Sequence, residues 1–288
     1  MANLGLKERY DFQQWIIKDL KDKNGYIQRD NAQYNPRLAM DEELLWDFLM
    51  ETQEETMDYL LKKLSKETII TLINKEIVKG GFLFALKEGV FIENKQLRLL
   101  YRKPATSFNE KAVQQYKANR LSVIEEVVYE EGGRIDLVIF INGLALFAIE
   151  LKFNPSGQSV QDAIKQLKGR NPNNRLFRFE QGVLASFAVD TMEIYMTTQL
   201  KGQETYFLPF NMGKGEGIDM GSGNPHNPNG VDTEYLWLDV LTKDSILQLI
   251  ESFIFFELDK NDAKKRTLIF PRYHQRRAVS RLLEDMKV

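Results

Sequence analysis

Asp136, Glu150 and Lys152 are the residues of this sequence best suited to chemistry. Asp136 opens the apolar run Leu137–Ile141, and Glu150 closes the apolar run Leu144–Ile149. A carboxylate in such a setting costs free energy unless it is paired or binds a cation. Lys152 follows Glu150 at a spacing of two, which on a strand places both on one face. Two carboxylates and an amine converging on one point can hold Mg²⁺, activate a water and stabilise charge on a phosphodiester under attack.

The elements carrying these residues must bring them together. Asn142-Gly143 between the two apolar runs is a strong hairpin signal. With a plain two-residue loop, Glu150 would oppose Ile135 and face away from Asp136. A three-residue loop with a glycine bulge would pair Phe140 with Leu144 and put Asp136, Glu150 and Lys152 on one face. The chemistry therefore predicts a bulged turn, or another bulge in the hairpin. A D…ExK pattern is short and common. The same residues would also serve as strand-end charges in solvent, with Glu150 and Lys152 as a surface ion pair.

Other elements are legible from periodicity. Phe12, Trp15, Ile16 and Leu20 mark a helix over 8–20, ended by Asn24-Gly25. Asp41 is a suitable N-cap for a helix with the stripe Leu44, Leu45, Phe48 and Leu49. Helices are predicted over 54–64, 66–79, 109–119, 246–256 and 274–286, and strands around 83–86, 97–101, 122–129, 183–189 and 192–198. Ser159 and Asp162 form a capping-box pattern ahead of a helix with Val160, Ala163, Ile164 and Leu167 on one face. Residues 211–230 read as a long loop rich in Gly, Asn and Pro, and 260–265 as a charged link. The basic residues Lys165, Lys168, Arg170, Arg175 and Arg178 are either phosphate contacts or a solvated face.

Composition bounds the function. The 288 residues contain no cysteine, which excludes disulfides, thiolate catalysis and cysteine-based zinc sites. The polar N-terminus and the lack of a membrane-spanning apolar run predict a cytoplasmic protein with no membrane partner. The two histidines, His226 and His274, are far apart in sequence, which disfavours a histidine metal site or a Ser-His-Asp triad. A net charge of −2 does not exclude DNA, because charge is segregated. Residues 41–60 hold eight acidic residues and no basic one, whereas 261–288 hold eight basic and three acidic residues.

The chain resembles the R (restriction) subunit of type I restriction-modification enzymes. The likeness rests on Gly25-Tyr26, on Leu38-Ala39-Met40-Asp41 with Phe48-Leu49 and Thr52-Gln53, and on Asp136–Gly143 leading to Ala148-Ile149-Glu150-Leu151-Lys152. Phe207–Asn211 and Tyr235-Leu236-Trp237 extend it. Phe270–Gln275 with Ala278-Val279 resembles the helix before the ATP-binding loop of a superfamily-2 translocase. No G-x-x-x-x-G-K-[ST] loop follows, and Gly213-Lys214-Gly215 lacks its spacing, so no ATPase activity is expected of these residues.

The resemblance implies an α/β fold, a PD-(D/E)XK nuclease core with a mixed central β-sheet flanked by helices and an N-terminal helical region. Its divisions would be 1–80 (helical), 81–258 (nuclease core) and 259–288 (linker and first motor helix). It implies catalysis by Asp136, Glu150 and Lys152. Mg²⁺ would be held by Asp136, Glu150 and the main-chain carbonyl of Leu151. Gln166 matches the glutamine of a motif in the helix after the catalytic strand, while Arg170 stands where the family's tyrosine is expected. Gln166 would orient the site or DNA, or be a plain solvated helix residue. Gln275 would read the adenine of ATP in a full-length subunit. The implied partners are double-stranded DNA, cut after translocation, and the methylation (M) and specificity (S) subunits. The competing readings are a non-catalytic DNA-guiding or docking module and a stand-alone repair nuclease. The motor-like ending argues against the second of these.

Overall fold

The computed structural model describes residues 9–214, 223–258, 262 and 266–285. The predicted charged link at 260–265, apart from Asp262, and part of the predicted 211–230 loop lie outside the described residues. The chain opens with helix α1 (Arg9–Asn24) and three short strands, β1 (Ile27–Arg29), β2 (Tyr34–Asn35) and β3 (Met40–Asp41). Four helices follow: α2 (Glu42–Thr52), α3 (Glu54–Leu61), α4 (Lys66–Gly80) and α5 (Phe82–Glu88). A small hairpin of β4 (Val90–Ile92) and β5 (Lys95–Leu97) leads to α6 (Glu110–Ala118).

The central strands are β6 (Leu121–Glu130), β7 (Gly133–Ile141) and β8 (Leu144–Leu151). Helix α7 (Val160–Lys168), then β9 (Ala185–Val189), β10 (Ile194–Thr197) and β11 (Leu208–Pro209) complete the sheet. Its order is β1-β6-β7-β8-β9-β10-β11, with β3 bridging β2 to the start of β8. The sheet is mixed: β1–β6 and β8–β9 run parallel, and the other neighbours along this order run antiparallel. Helix α8 (Lys243–Gln248) continues through a wider π turn to Phe253. The chain then forms the hairpin β12 (Phe255–Leu258) and β13 (Arg266–Ile269) and ends in α9 (Tyr273–Asp285). The protein is thus an α/β structure with a central mixed sheet flanked by helices. Among the described residues no helix is long and apolar enough to cross a membrane.

Three predicted elements differ. The strand expected around 97–101 is instead the short β5, Lys95–Leu97, and 98–101 lie outside any strand. Residues 83–86 lie in helix α5, where Phe82, Leu83, Ala85 and Leu86 are buried at helical spacing. An apolar run this short does not distinguish strand from helix, and Gly81 at φ 93° starts a new helix after α4. The helix expected to reach Phe256 stops at Phe253, and Phe255 and Phe256 pair with β13.

Each face of the sheet carries its own apolar layer. On one face Leu137, Ile139, Ile141, Ile149 and Leu151 pack with residues of α1, α2, α4 and α5. On the other, Val138, Phe140, Ala145, Ala148 and Ala188 pack beneath Val160, Ala163 and Leu167 of α7. The β7–β8 turn is built into the structure rather than exposed. Asn142 accepts the Arg120 N–H at 2.7 Å and donates to the Leu99 carbonyl at 2.9 Å. The Gly143 carbonyl accepts the Asp41 N–H at 2.7 Å, so the turn abuts the start of α2.

Candidate active site

The register of β7 and β8 determines which side chains meet. Ile141 pairs with Leu144 and Phe140 with Ala145, so the turn is the plain two-residue type, with Asn142 at φ 50° and Gly143 at φ 80°. The expected pairing of Phe140 with Leu144 does not occur. The second expectation, a bulge elsewhere in the hairpin, holds: the register shifts between Phe140 and Ile139, where Ile139 pairs with Phe147. Leu146 is the extra residue, and Leu146 and Phe147 both enter the same apolar layer. Val138 then pairs with Ala148 and Leu137 with Ile149. One further step places Asp136 opposite Glu150, on the face that carries α7.

All three predicted residues are buried here, with Asp136 4%, Glu150 0% and Lys152 6% exposed. They are not strand-end charges in solvent. Asp136 Oδ2 accepts the Leu151 main-chain N–H at 2.7 Å. The next peptide N–H, that of Lys152, donates to the Val189 carbonyl of β9 at 2.8 Å. Alternate peptides of a strand point to opposite neighbours, so the Leu151 peptide edge faces the Asp136 side.

Glu150 lies between two cations. Lys152 Nζ is 3.2 Å from its Oε1, and Arg170 Nη2 is 3.0 Å from its Oε2. Burial pushes the Glu150 carboxyl up from the ordinary carboxylate range to about 7. The nearby Asp136 charge adds to this, and Lys152 and Arg170 oppose it. Lys152 Nζ also donates to Gln166 Oε1 at 2.7 Å. Small residues make room for these groups: Ala148 and Ala188 flank Glu150 on the sheet, and Ala163 packs from α7.

Helix α7 owes its placement to two carboxylates. Asp162 reaches back to the Ser159 N–H at 2.8 Å, the expected capping contact. Asp190, just past β9, accepts from the Val160 N–H at 2.7 Å and from Asn154 Nδ2 at 2.9 Å. Its other oxygen takes the N–H groups of Met192 and Glu193. The start of α7 is thereby tied to the end of β9, and Gln166 and the post-helical Arg170 come to lie above β8.

The basic residues of this segment divide by position. Lys165 lines an open groove of about 520 Å³ beside Gln166 and Arg170, and Lys168 does not. Arg170 turns inward to Glu150. Arg175 is bound internally to the Gln181 carbonyl and Asn74, whereas the exposed Arg178 bonds the nearby Asn173 carbonyl. Gln275 Oε1 accepts the Arg272 N–H at 2.9 Å at the start of α9, away from this cluster.

A model of the type I restriction enzyme R protein N terminus matches residues 6–205. The chain belongs to this family. The matched region of the R protein N terminus contains Asp136, Glu150, Lys152, Gln166 and Arg170, while Gln275 lies beyond it. The chain is also 26% identical, over 272 residues, to a protein of Methanocaldococcus jannaschii named as a candidate type I restriction enzyme MjaVIIIP endonuclease subunit. That alignment covers 92% of this chain and 24% of the relative, so the chain spans about a quarter of the relative's length.

One residue of this R protein N terminus escaped the sequence reading. The Tyr129 hydroxyl accepts from Arg170 Nη1 at 3.0 Å, and its ring lies 5.6 Å from the guanidinium carbon. Strict alternation along β6 from Ile124 would place Tyr129 on the opposite face. Glu126, at φ 51°, interrupts that alternation, so Val127 and Tyr129 join Ile124 in the α7 layer. No feature of the sequence marks the break.

Proposed function

We propose that this chain is the nuclease portion of a type I restriction enzyme R subunit, with a PD-(D/E)XK core that hydrolyses double-stranded DNA. The observation that carries the proposal is the buried meeting of Asp136, Glu150 and Lys152 on one face, produced by the Leu146 bulge. Charged groups sheltered this far from solvent are costly unless paired or bound to a cation, and such clusters are common at functional sites.

The donor set fits Mg²⁺. Two carboxylates on adjacent strands, with the Leu151 peptide edge beside them, supply few protein ligands, and Mg²⁺ keeps several waters of its own. Among the described residues no cluster of three or more His, Cys, Asp or Glu forms a richer cage. Asp136, Glu150 and the Leu151 carbonyl would hold the ion. When bound, it would lower the pKa of a water and neutralise phosphate charge. Lys152, fixed between Glu150 and Gln166, would direct a positive charge at the attacked phosphate. Gln166 would act by holding Lys152. Lys165 on the groove rim would contact the DNA backbone.

In the complete subunit a motor driven by ATP would translocate DNA before cleavage, with Gln275 reading adenine. The M and S subunits would supply sequence choice. A second reading, a non-catalytic docking or DNA-guiding module, draws on the pairing of both Glu150 oxygens with cations, which is also what a structural ion network does. Calorimetric titration with Mn²⁺ separates the two. The nuclease reading expects binding that is lost in Asp136→Ala and Glu150→Ala. Absence of binding, or binding unchanged in both variants, favours the module.

A further inference from the structure

Resting on the nuclease reading, we propose that Arg170 is a latch on Glu150 that couples metal binding to DNA binding. Its guanidinium occupies one side of the carboxylate. A DNA phosphate in the adjacent groove draws it away and exposes that oxygen to the metal.

Competition follows from the geometry. Glu150 is fully buried, and each of its oxygens already faces a cation, Lys152 at 3.2 Å and Arg170 at 3.0 Å. A divalent ion that uses both oxygens must displace one of them. Lys152 is the harder to move, because it is 6% exposed, rooted beside the strand end and held by Gln166 at 2.7 Å. Arg170 follows α7 and lies outside any regular element.

The guanidinium is also incompletely satisfied where it rests. Nη1 meets the Tyr129 hydroxyl and Nη2 meets Glu150, but the buried Nε has no acceptor. Its two bonds go to two different groups, so the fork geometry that matches a carboxylate or phosphate is unused. A phosphate oxygen pair would accept from Nε and an Nη together. The place for it is adjacent: Arg170, Gln166, Lys165 and Gly133 line the open groove of about 520 Å³. Glu130, Glu131 and Asp162 line it as well, so an incoming phosphate is favoured on the side of Arg170 and Lys165.

The coupling is reciprocal: whatever DNA adds to metal affinity, metal adds to DNA affinity. A hydrogen bond to a charged group is among the stronger ones, so releasing the latch corresponds to about tenfold or more in metal affinity.

The test is calorimetry of Ca²⁺ binding to the whole chain at pH 8, with and without a short DNA duplex. For the wild type, duplex tightens Ca²⁺ binding about tenfold. Arg170→Ala binds Ca²⁺ about tenfold more tightly than wild type without DNA, and duplex adds little further. Tyr129→Phe, which removes one support of the latch and keeps the packing, shifts affinity the same way by less. Unchanged or weaker Ca²⁺ binding in both variants would overturn the proposal, as would equal tightening by duplex in wild type and Arg170→Ala. If wild type and Glu150→Ala bind Ca²⁺ equally or not at all, the nuclease reading itself falls, and the latch with it.

Discussion

Gln166 of α7 holds Lys152 of the β8 end: the amide oxygen lies 2.7 Å from the lysine nitrogen. The lysine therefore has two anchors, Glu150 within its own segment and Gln166 from the covering helix. Groups that orient a reacting residue typically matter by 10- to 100-fold. We expect Gln166→Ala to slow DNA cleavage by the assembled enzyme about 10- to 100-fold at saturating DNA, with ATPase activity unchanged. Single-turnover cleavage measures this. A rate within twofold of wild type would reduce Gln166 to a solvated helix residue.

The Asn142-Gly143 turn gives a prediction about stability. A Cβ on Gly143 would lie 2.2 Å from the Asp41 carbonyl oxygen and 2.7 Å from the Leu45 nitrogen, and its φ of +80° is strained for any other residue. Both neighbours are backbone of the α2 start, which has little room to shift. Gly143→Ala is expected to cost about 2–4 kcal/mol in urea unfolding. Loss of less than roughly 0.5 kcal/mol, the scale of a neutral surface change, would mean the turn and α2 are not packed as described.

Glu150 gives a pH dependence with a definite sign. Its carboxyl titrates near 7 when folded and in the ordinary range, about 4.5, when unfolded. The folded state thus binds the extra proton, and the stabilisation is complete below about 4.5 and lost as pH rises through about 7. In metal-free buffer, wild type should lose stability relative to Glu150→Gln over that window, on the order of 1–3 kcal/mol. A stability difference independent of pH between 4.5 and 8 would contradict the burial described for this group.

The candidate site was legible in the sequence because charge interrupts apolar strands so rarely. Asp136, Glu150 and Lys152 stood out by type and spacing, and the need for a shared face required a bulge. Where that bulge falls was not legible. Leu146 and Phe147 are both ordinary strand residues, and which one leaves the ladder depends on how the layer beneath them packs. Tyr129 was hidden for the same reason, since the break at Glu126 occurs in a residue with no glycine-like signal. Arg170 was visible only as one basic residue among several; its inward turn depends on Tyr129 and the placement of α7 by Asp190. Helix α5 was misread because four apolar residues fit either period.

Cleavage of double-stranded DNA by the complete R subunit, assembled with its partner subunits, ATP and Mg²⁺, tests the central claim most directly. Asp136→Ala, Glu150→Ala and Lys152→Ala are each expected to abolish cleavage while ATP hydrolysis continues at the wild-type rate. Cleavage at the wild-type rate in any of the three would contradict the assignment of that residue, and in all three would remove the active site from this sheet.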